Sequence, residues 1–371
     1  MRIRRFTRTA TRHVTALPSP RTVTAGVALA VAAAVLTGCG SVDGDSGDAT
    51  TASDDVEQWT APEGLSGDLT YYSANPQGLT DDLVSAFEEK TDVSVNVFAG
   101  ETGKITAKLK AEKDNPQADL VYLASWSAAQ SQAATGGYEK FTPEHADEVR
   151  DGWASSTGQF TGRDGSALAL VSNTEALNGA PVPEDWEDLT DPAYKGKVIM
   201  PDPRESGTAA DLIAAMVDTW GEDRTWDLFD RLFDNGMQVQ GANGPALDAV
   251  TSGSKAVVFG GVDYSAYAAA KKGEPLEVTT PASGTTITPR PVLISDRSDN
   301  LPAAEAFVNF MFSPEGQAIS ADNHMIPGVG GTPAPADGTD YDDTKQLTTD
   351  LDGLAETSGG VTDAFVSRYL S

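Results

Sequence analysis

Residues 196–216 decide the fold, and they read GKVIMPDPRESGTAADLIAAM. Residues 197–200 predict a short buried strand, which Pro201 and Pro203 end because proline cannot continue the hydrogen-bond ladder of a sheet. Apolar residues then recur at helical spacing, at Ala209, Leu212, Ile213 and Met216. The stretch therefore predicts a strand, a turn and the start of a helix.

The turn in this stretch has the composition of an anion-binding helix start. Ser206 stands at the expected N-cap, Gly207 lets a ligand approach the backbone closely, and Thr208 adds a hydroxyl beside the free N–H groups of the first turn. Hydroxyls and backbone N–H groups at a helix start can hold an anion without a lysine. An ordinary Ser-capped helix has the same local pattern, so the alternative of a simple cap stays open.

The same alternation of strand, polar turn and helix occurs on both sides of this stretch. It predicts an α/β fold with mostly parallel sheets flanked by helices. Two blocks of about 100 residues each have the usual size of a domain, which predicts two lobes with a cleft between them. The predicted strands are residues 69–73, 93–99, 118–124, 166–172, 197–200, 237–240 and 256–259.

Small polar residues follow several of these strands directly. Ligands of parallel sheets bind at the carboxyl ends of the strands, so these turns are candidate binding loops. An aromatic ring at such a turn, as at Trp126, could stack on an organic part of a ligand. Besides Ser206, Gly207 and Thr208, the candidates are Ser73, Asn75, Thr102, Gly103, Ser125, Trp126, Asp263 and Tyr264.

The first 38 residues have the pattern of a secretory signal. Arginines without acidic residues precede an apolar run at residues 27–36, which is too short for a permanent membrane span. The run ends in Leu36-Thr-Gly-Cys39, which resembles the bacterial lipobox and implies that Cys39 is lipidated. Arg4-Arg5 leaves twin-arginine export open as an alternative to the general route. Residues 39–65 are acidic and poor in apolar residues, which predicts a flexible tether.

The charge of the chain excludes some partners. The formal net charge is −29, and it becomes more negative if residues 1–38 are removed. Such a surface repels nucleic acid and anionic lipid, so we expect no nucleic-acid partner and membrane contact only through the lipid on Cys39. Cys39 is also the only cysteine, which leaves no pair for a disulfide.

Several stretches between about residues 66 and 327 resemble the extracellular solute-binding lipoproteins of bacterial ABC importers. The resemblance is to the type II periplasmic-binding class, in its ferric-ion, thiamine, phosphonate and sugar-phosphate branch. The stretches begin at Leu69 (LTYYSAN), Gly100 (GETGK), Asn115 (NPQADLV), Asp191 (DPAYKGK) and Asp202 (DPRESGTA), and residues 302–317 end in FSPEGQ.

This resemblance implies a two-lobed fold joined by hinge strands, with the ligand held between the lobes. Lobe 1 would comprise residues 66–168 and 281–330, and lobe 2 residues 169–280; the docking of residues 331–371 is not readable. It also implies a monomer without a cofactor, anchored to the outer face of the cell membrane, that delivers its ligand to an ABC permease.

The expected ligand is a small oxyanion, either a phosphonate or a phosphate ester. Ferric ion is the first alternative, with Tyr264, Tyr267, Glu101 and Asp263 as ligands, because a hard trivalent cation requires anionic oxygens. The family's adjacent pair of tyrosines is replaced here by Tyr264 and Tyr267, spaced for one helix face. Thiamine and polyamines are more distant alternatives.

An enzyme is the main alternative from another class. Ser252-Gly-Ser-Lys255 matches the Ser-x-x-Lys motif of some acyl-transfer enzymes, but no partner motif follows it. His145 and His324 are the only histidines beyond residue 38, and both are expected at the surface. We therefore expect a binding protein rather than an enzyme.

Overall fold

The computed structural model describes residues 56–370. The predictions for residues 1–38, for Cys39 and for most of the tether lie outside the described residues. Lobe 1 begins as three strands that alternate with three helices, as the sequence pattern predicts. These elements are β1 (Ser66–Ser73), α1 (Gln77–Glu88), β2 (Asp92–Ala99), α2 (Thr102–Ala111), β3 (Leu120–Tyr122) and α3 (Trp126–Ala133).

Lobe 2 is entered through the long strand β4 (Thr161–Asn173). Short 3₁₀ turns at Ala146–Glu148, Trp186–Thr190 and Pro192–Tyr194 lie in the connections before and after it. The lobe itself is built from β5 (Val198–Met200), α4 (Gly207–Trp220), α5 (Glu222–Asp234), β6 (Gln238–Val239), α6 (Asn243–Thr251), β7 (Val257–Val262), α7 (Asp263–Lys271) and β8 (Leu276–Thr279).

The chain then returns to lobe 1 and ends in a long helix. The proline-flanked extended stretch predicted near residues 286–295 is a strand, and both helices predicted to begin near a proline are present. The elements are β9 (Ile287–Ile294), α8 (Leu301–Phe312), α9 (Pro314–Asp322), β10 (Ile326–Pro327) and α10 (Leu351–Tyr369).

The strands follow the order β2-β1-β3-β9-β4-β7-β5-β6, with β8 and β10 also paired to β4. Neighbours are parallel within β2-β1-β3 and within β7-β5-β6, whereas β9 and β4 run antiparallel to their neighbours. The lobes share β4, because residues 161–167 pair with β9 and residues 168–173 pair with β7 and β8. The fold is therefore the two-lobed α/β architecture expected from the sequence.

The segment after β10 packs on both lobes. Helix α10 contacts α3 of lobe 1 and α4 of lobe 2. Leu351 lies in a lobe 1 core, whereas Leu354 and Phe365 lie in the lobe 2 core. The ring of Phe365 meets that of Phe229 edge-on at 5.1 Å between centroids. This segment therefore completes two hydrophobic cores.

Candidate ligand-binding cleft

The start of α4 forms a closed hydrogen-bond group. The backbone N–H of Ala209 donates to Ser206 Oγ at 3.2 Å, so Ser206 is the helix cap that the sequence predicts. Ser206 Oγ also donates to Asn243 Oδ1 at 2.9 Å, and Asn243 Nδ2 donates to Thr208 Oγ1 at 3.2 Å. Both hydroxyls are buried. Asn243, at the start of α6, is a member of this group that the sequence analysis missed.

Gly207 brings the start of α4 against lobe 1. A Cβ atom built on Gly207 would lie 2.6 Å from Ser125 Cβ and 3.2 Å from Thr102 Cγ2, which is closer than a side chain allows. Gly103 is similarly placed, since a Cβ atom built on it would lie 2.9 Å from the carbonyl oxygen of Arg204. The starts of α2, α3 and α4 thus meet across the lobes, and only glycine fits at these two contacts.

A small cavity of about 200 Å³ lies at this meeting point. Its lining comes from the starts of α2 and α3, from residues 203–205, from Gly207 and from α10, and includes Thr102, Gly103, Ser125, Ala355 and Ser358. A larger groove of about 890 Å³ runs between α2 and α3, and Gly103 is the one predicted site residue in its lining. Four of the predicted site residues, Thr102, Gly103, Ser125 and Gly207, therefore line the small cavity, whereas the other predicted site residues do not.

Ser127 and Asp211 form a second contact between the lobes. Ser127 Oγ on α3 donates to Asp211 Oδ1 on α4 at 2.7 Å, and Asp211 Oδ2 has no hydrogen-bond partner among residues 56–370. Burial raises the pKa of the Asp211 carboxyl to about 6, although hydrogen bonds from lobe 1 oppose the shift. A carboxyl group is therefore enclosed where the lobes touch.

Trp126 requires a correction. Its side chain lies in a hydrophobic core with only 1% of its surface exposed, edge-on to Phe160 at 4.9 Å between ring centroids. Its indole N–H donates to Asp352 Oδ1 of α10 at 3.2 Å. An indole held in this way packs the start of α3 against α10 and is not presented to a ligand in this conformation.

The loop after β1 uses its polar groups to hold neighbouring strands. Ser73 Oγ lies 2.9 Å from Thr80 Oγ1, and both residues are buried. Asn75 Nδ2 donates to the carbonyl oxygen of Tyr122 at 3.1 Å, while Asn75 Oδ1 accepts a hydrogen bond from Arg290 at 2.7 Å. Asn75 therefore connects this loop to Arg290, a charged residue that is not among the predicted site residues.

Arg290 lies on β9 with no exposed surface. Its second terminal nitrogen, Nη2, donates to Ser166 Oγ at 3.3 Å, and its guanidinium carbon lies 4.9 Å from the centroid of the Tyr264 ring. Its Nε has no hydrogen-bond partner in the described part of the chain. The signal for it was available in the sequence, since Pro289-Arg290-Pro291 places one charge in an otherwise apolar extended run.

Asp263 is buried at the start of α7, directly after β7. Its Oδ1 accepts hydrogen bonds from the backbone N–H groups of Tyr264 at 2.8 Å and Ala167 at 3.1 Å. Its Oδ2 has no partner among the described residues. Burial raises the pKa of Asp263 to about 6, and these N–H groups, the nearby Thr339 hydroxyl and Arg290 lower it in part.

The four residues proposed for ferric ion have different surroundings. Tyr264 faces Arg290, whereas the Tyr267 ring lies 6.4 Å from the ring of His324.

His324 is buried, and its Nδ1 lies 2.7 Å from the carbonyl oxygen of Asp337, which corrects the expectation of a surface histidine. Glu101 precedes α2 and is exposed, and partial desolvation by its neighbours raises its pKa. Within residues 56–370, no three His, Cys, Asp or Glu side chains are grouped to hold a metal ion.

The comparisons with known proteins establish the family. A sequence profile of the bacterial extracellular solute-binding proteins matches residues 115–355. The chain belongs to this family. A probable ABC transporter periplasmic-binding protein of Sinorhizobium fredii is 25% identical over 263 residues, which are 69% of this chain and 73% of the relative.

Two solved structures share the fold. The periplasmic binding protein AfuA from Actinobacillus pleuropneumoniae, with exogenous fructose-6-phosphate bound, gives a TM-score of 0.74 at 26% identity and covers 81% of this chain and 98% of its own. Iron-bound HitA from Pseudomonas aeruginosa gives a TM-score of 0.71 at 21% identity, covering 80% and 98%. At the lower identity, the likeness to HitA shows the fold alone.

These findings define the chain as the solute-binding component of an ABC importer. Such a component works outside the cytoplasm, in the periplasm or at the cell exterior, and binds a small ligand and a permease. Its relatives are binding proteins, not enzymes. No helix between residues 56 and 370 has the length and apolar character to cross a membrane.

Proposed function

We propose that the ligand is a small phosphorus oxyanion, a phosphonate or a phosphate ester, held between the lobes. The observation that carries this proposal is the meeting of three helix starts from both lobes, at Thr102, Ser125 and Gly207. Helix starts present free backbone N–H groups and the positive end of the helix dipole, which together favour an anion. The fructose-6-phosphate bound to AfuA is a ligand of this class.

The proposal assigns residues 66–168 and 281–330 to lobe 1 and residues 169–280 to lobe 2. An oxyanion at the start of α4 would bind Ser206, Gly207 and Thr208 of lobe 2 and gain contacts to lobe 1 on closure. A ligand shifts an open–closed equilibrium only by its difference in affinity for the two states. The contacts from lobe 1, at Thr102, Gly103 and Ser125, therefore provide the free energy of closure.

The surroundings of Tyr264 favour this ligand over the alternatives. The guanidinium group of Arg290 lies 4.9 Å from the centroid of the Tyr264 ring. It repels a trivalent metal ion, and it also repels the cations thiamine and polyamine. An anion gains from the same charge. Ferric ion with Tyr264, Tyr267, Glu101 and Asp263 is therefore the weaker candidate.

We further propose that the protein is a lipid-anchored monomer. Its signal would be residues 1–38, the lipid would be attached to Cys39, and residues 39–65 would tether the receptor near its permease. Replacing Cys39 by Ser should release the protein from the membrane fraction, because no other lipid attachment site is expected. Retention of the Cys39→Ser protein in that fraction would show another means of attachment.

The test of the ligand class is thermal unfolding of the full chain, purified in mild detergent, against fructose 6-phosphate, 2-aminoethylphosphonate, inorganic phosphate, ferric citrate, thiamine and spermidine. A ligand that binds only the folded state raises the unfolding midpoint by mass action. We expect a rise with at least one phosphorus compound and none with thiamine or spermidine. A rise with ferric citrate alone, accompanied by a visible tyrosinate-to-iron band, would overturn the proposal.

Thr208→Val then tests the position of the ligand. Removal of this hydroxyl should weaken binding of the phosphorus compound by about tenfold, the usual cost of one lost hydrogen bond. Thr225→Val is the matched control, because Thr225 is also buried in lobe 2 but lies on α5, away from the cleft. Equal affinities for both variants and the wild type would show that Ser206 and Thr208 only cap α4.

A further inference from the structure

Arg290 has hydrogen-bonding capacity that the fold does not use. A guanidinium group has five N–H donors, and burying its charge is costly unless the charge is paired. Its terminal nitrogens donate to Asn75 at 2.7 Å and to Ser166 at 3.3 Å, both of which are neutral. Its Nε has no partner among residues 56–370, although no part of the residue is exposed. Folding alone therefore leaves this charge incompletely satisfied.

The carboxylate opposite Arg290 is already occupied. Asp164 on β4 is the cross-strand partner of Arg290 on β9. Asp164 Oδ2 accepts hydrogen bonds from Arg163 at 2.6 Å and from Ser320 at 2.7 Å, and Oδ1 accepts one from Tyr122. Asp164 therefore belongs to another ion pair and leaves Arg290 without a contact counterion in the described part of the chain.

The neighbours of Arg290 come from both lobes. Asn75 follows β1 of lobe 1, and Tyr264 follows β7 of lobe 2. The carboxyl ends of these strands are where a two-lobed α/β protein places its ligand. Thr288, two residues before Arg290 and on the same face of β9, also has a buried hydroxyl without a partner. One face of β9 therefore carries two buried polar groups without a partner among residues 56–370, Arg290 Nε and Thr288 Oγ1.

Two further acidic groups lie near Arg290 without forming an ion pair with it. Burial raises the pKa of Asp263, partial desolvation raises the pKa of the exposed Glu101, and the positive charge of Arg290 lowers both in part. Asp263 uses one carboxylate oxygen for backbone N–H groups, and the other has no partner among residues 56–370. These two acids therefore form no ion pair with Arg290, while Asp164 and the Tyr264 side chain help to keep its charge and its Nε has no partner among residues 56–370.

We propose that Arg290 is the residue that recognises the charge of the ligand: its unfilled Nε edge receives a negatively charged oxygen of the solute. This inference rests on the proposed function, in that the cleft between the lobes is taken as the ligand site, and it places a cation on β9 beside Asn75 and Tyr264. It restricts the ligand to solutes with at least one oxyanion group. Because Arg290 touches groups from both lobes, the same contact couples ligand charge to closure.

The test compares Arg290→Met and Arg290→Lys with the wild-type full chain in detergent. Dissociation constants for fructose 6-phosphate, 2-aminoethylphosphonate, inorganic phosphate and citrate are measured by titration calorimetry. Arg290→Met should raise the dissociation constant of every anion that the wild type binds by about tenfold to a hundredfold, because a hydrogen bond to a charged group is lost. Arg290→Lys keeps the charge and should recover part of the affinity.

A structural role for Arg290 makes the opposite prediction. Arg290→Met would then lower the midpoint of thermal unfolding while every dissociation constant stays within about twofold of the wild type, an outcome that overturns the inference. If Arg290→Met does not fold, the wild type still decides the matter by NMR of arginine Nε–H groups. The Nε–H resonance that is absent from Arg290→Lys should move when the anion is added, and an unmoved resonance also overturns the inference.

Failure of the proposed function remains distinguishable from failure of this inference. If the wild type binds citrate but no phosphorus compound, and Arg290→Met weakens that binding, the phosphorus ligand is wrong and the role of Arg290 holds. If a phosphorus compound binds equally well to Arg290→Met, the proposed function stands without Arg290. If only an uncharged or cationic solute binds, both proposals fail.

Discussion

Arg163 and Arg290 are both fully buried, on neighbouring antiparallel strands, yet their surroundings differ. Arg163 contacts Asp164 at 2.6 Å and donates to the carbonyl oxygens of Met311 and Gly316. Arg290 has two neutral acceptors and an unpartnered Nε in the described chain. The fold therefore provides Arg163 with a counterion and acceptors. It leaves the Nε–H group of Arg290 without an acceptor among residues 56–370.

The origin of the partners explains this difference. The partners of Arg163 belong to lobe 1 or to the adjoining part of β4, so they would move together with it in the proposed opening of the lobes. The partners of Arg290 include Tyr264, whose helix belongs to lobe 2. In the proposed opening of the lobes, Arg290 would therefore lose a neighbour, whereas Arg163 would keep its hydrogen-bond partners.

The largest effect is expected at the satisfied arginine. Arg163→Met should lower the free energy of unfolding by about 3–5 kcal/mol, because it leaves Asp164 buried without its charge partner. Urea unfolding of the ligand-free protein measures this loss. The double variant Arg163→Met/Asp164→Leu should recover much of it, because an apolar pair carries no unpaired charge. No recovery in the double variant would contradict the assignment of the loss to Asp164.

An intermediate effect is expected from Asp263, in the neighbourhood of Arg290. Because its pKa is raised to about 6, the folded protein keeps a proton that the unfolded chain has already lost. The stabilisation from this proton is present below about pH 4 and is lost as the pH rises through about 6, by up to about 3 kcal/mol. Asp263→Asn should remove this part of the pH dependence, as followed by urea unfolding between about pH 4 and pH 7.

Asp211→Asn is the control for that measurement. Asp211 also has a pKa of about 6, but it lies at the contact between α3 and α4. Its replacement should remove a separate and additive share of the pH dependence. An unchanged pH profile in Asp263→Asn would mean that Asp263 is as acidic in the folded protein as in the unfolded chain.

The smallest effect is expected from Arg290→Met in the absence of ligand. The variant loses two hydrogen bonds, but it also removes a buried charge without a contact counterion, so the free energy of unfolding should change by about 1 kcal/mol or less. Urea unfolding alongside Arg163→Met makes the comparison direct. A loss as large as that of Arg163→Met would show that the two arginines serve the same structural purpose.

Features encoded within a few neighbouring residues could be predicted from the sequence. The cap at Ser206 and the alternation of strands and helices follow from short-range patterns, whereas the groups that approach Gly207 in the structure are the side chains of Ser125 and Thr102. Asn243, the surroundings of Arg290 and the role of Trp126 could not be predicted. Their environments depend on partners far along the chain, as in the pairing of Asn75 with Arg290, which are 215 positions apart. The surface expectation for His324 failed because the segment after β10 returns to it, where the carbonyl oxygen of Asp337 lies 2.7 Å from its Nδ1.

The position of α10 has a consequence for the order in which the protein can fold. Leu354 and Phe365 complete the lobe 2 core, and Leu351 completes a core of lobe 1. Neither lobe reaches its final packing until these residues have left the ribosome. Helix α10 therefore links the completion of the two lobes, since neither of these cores closes without it.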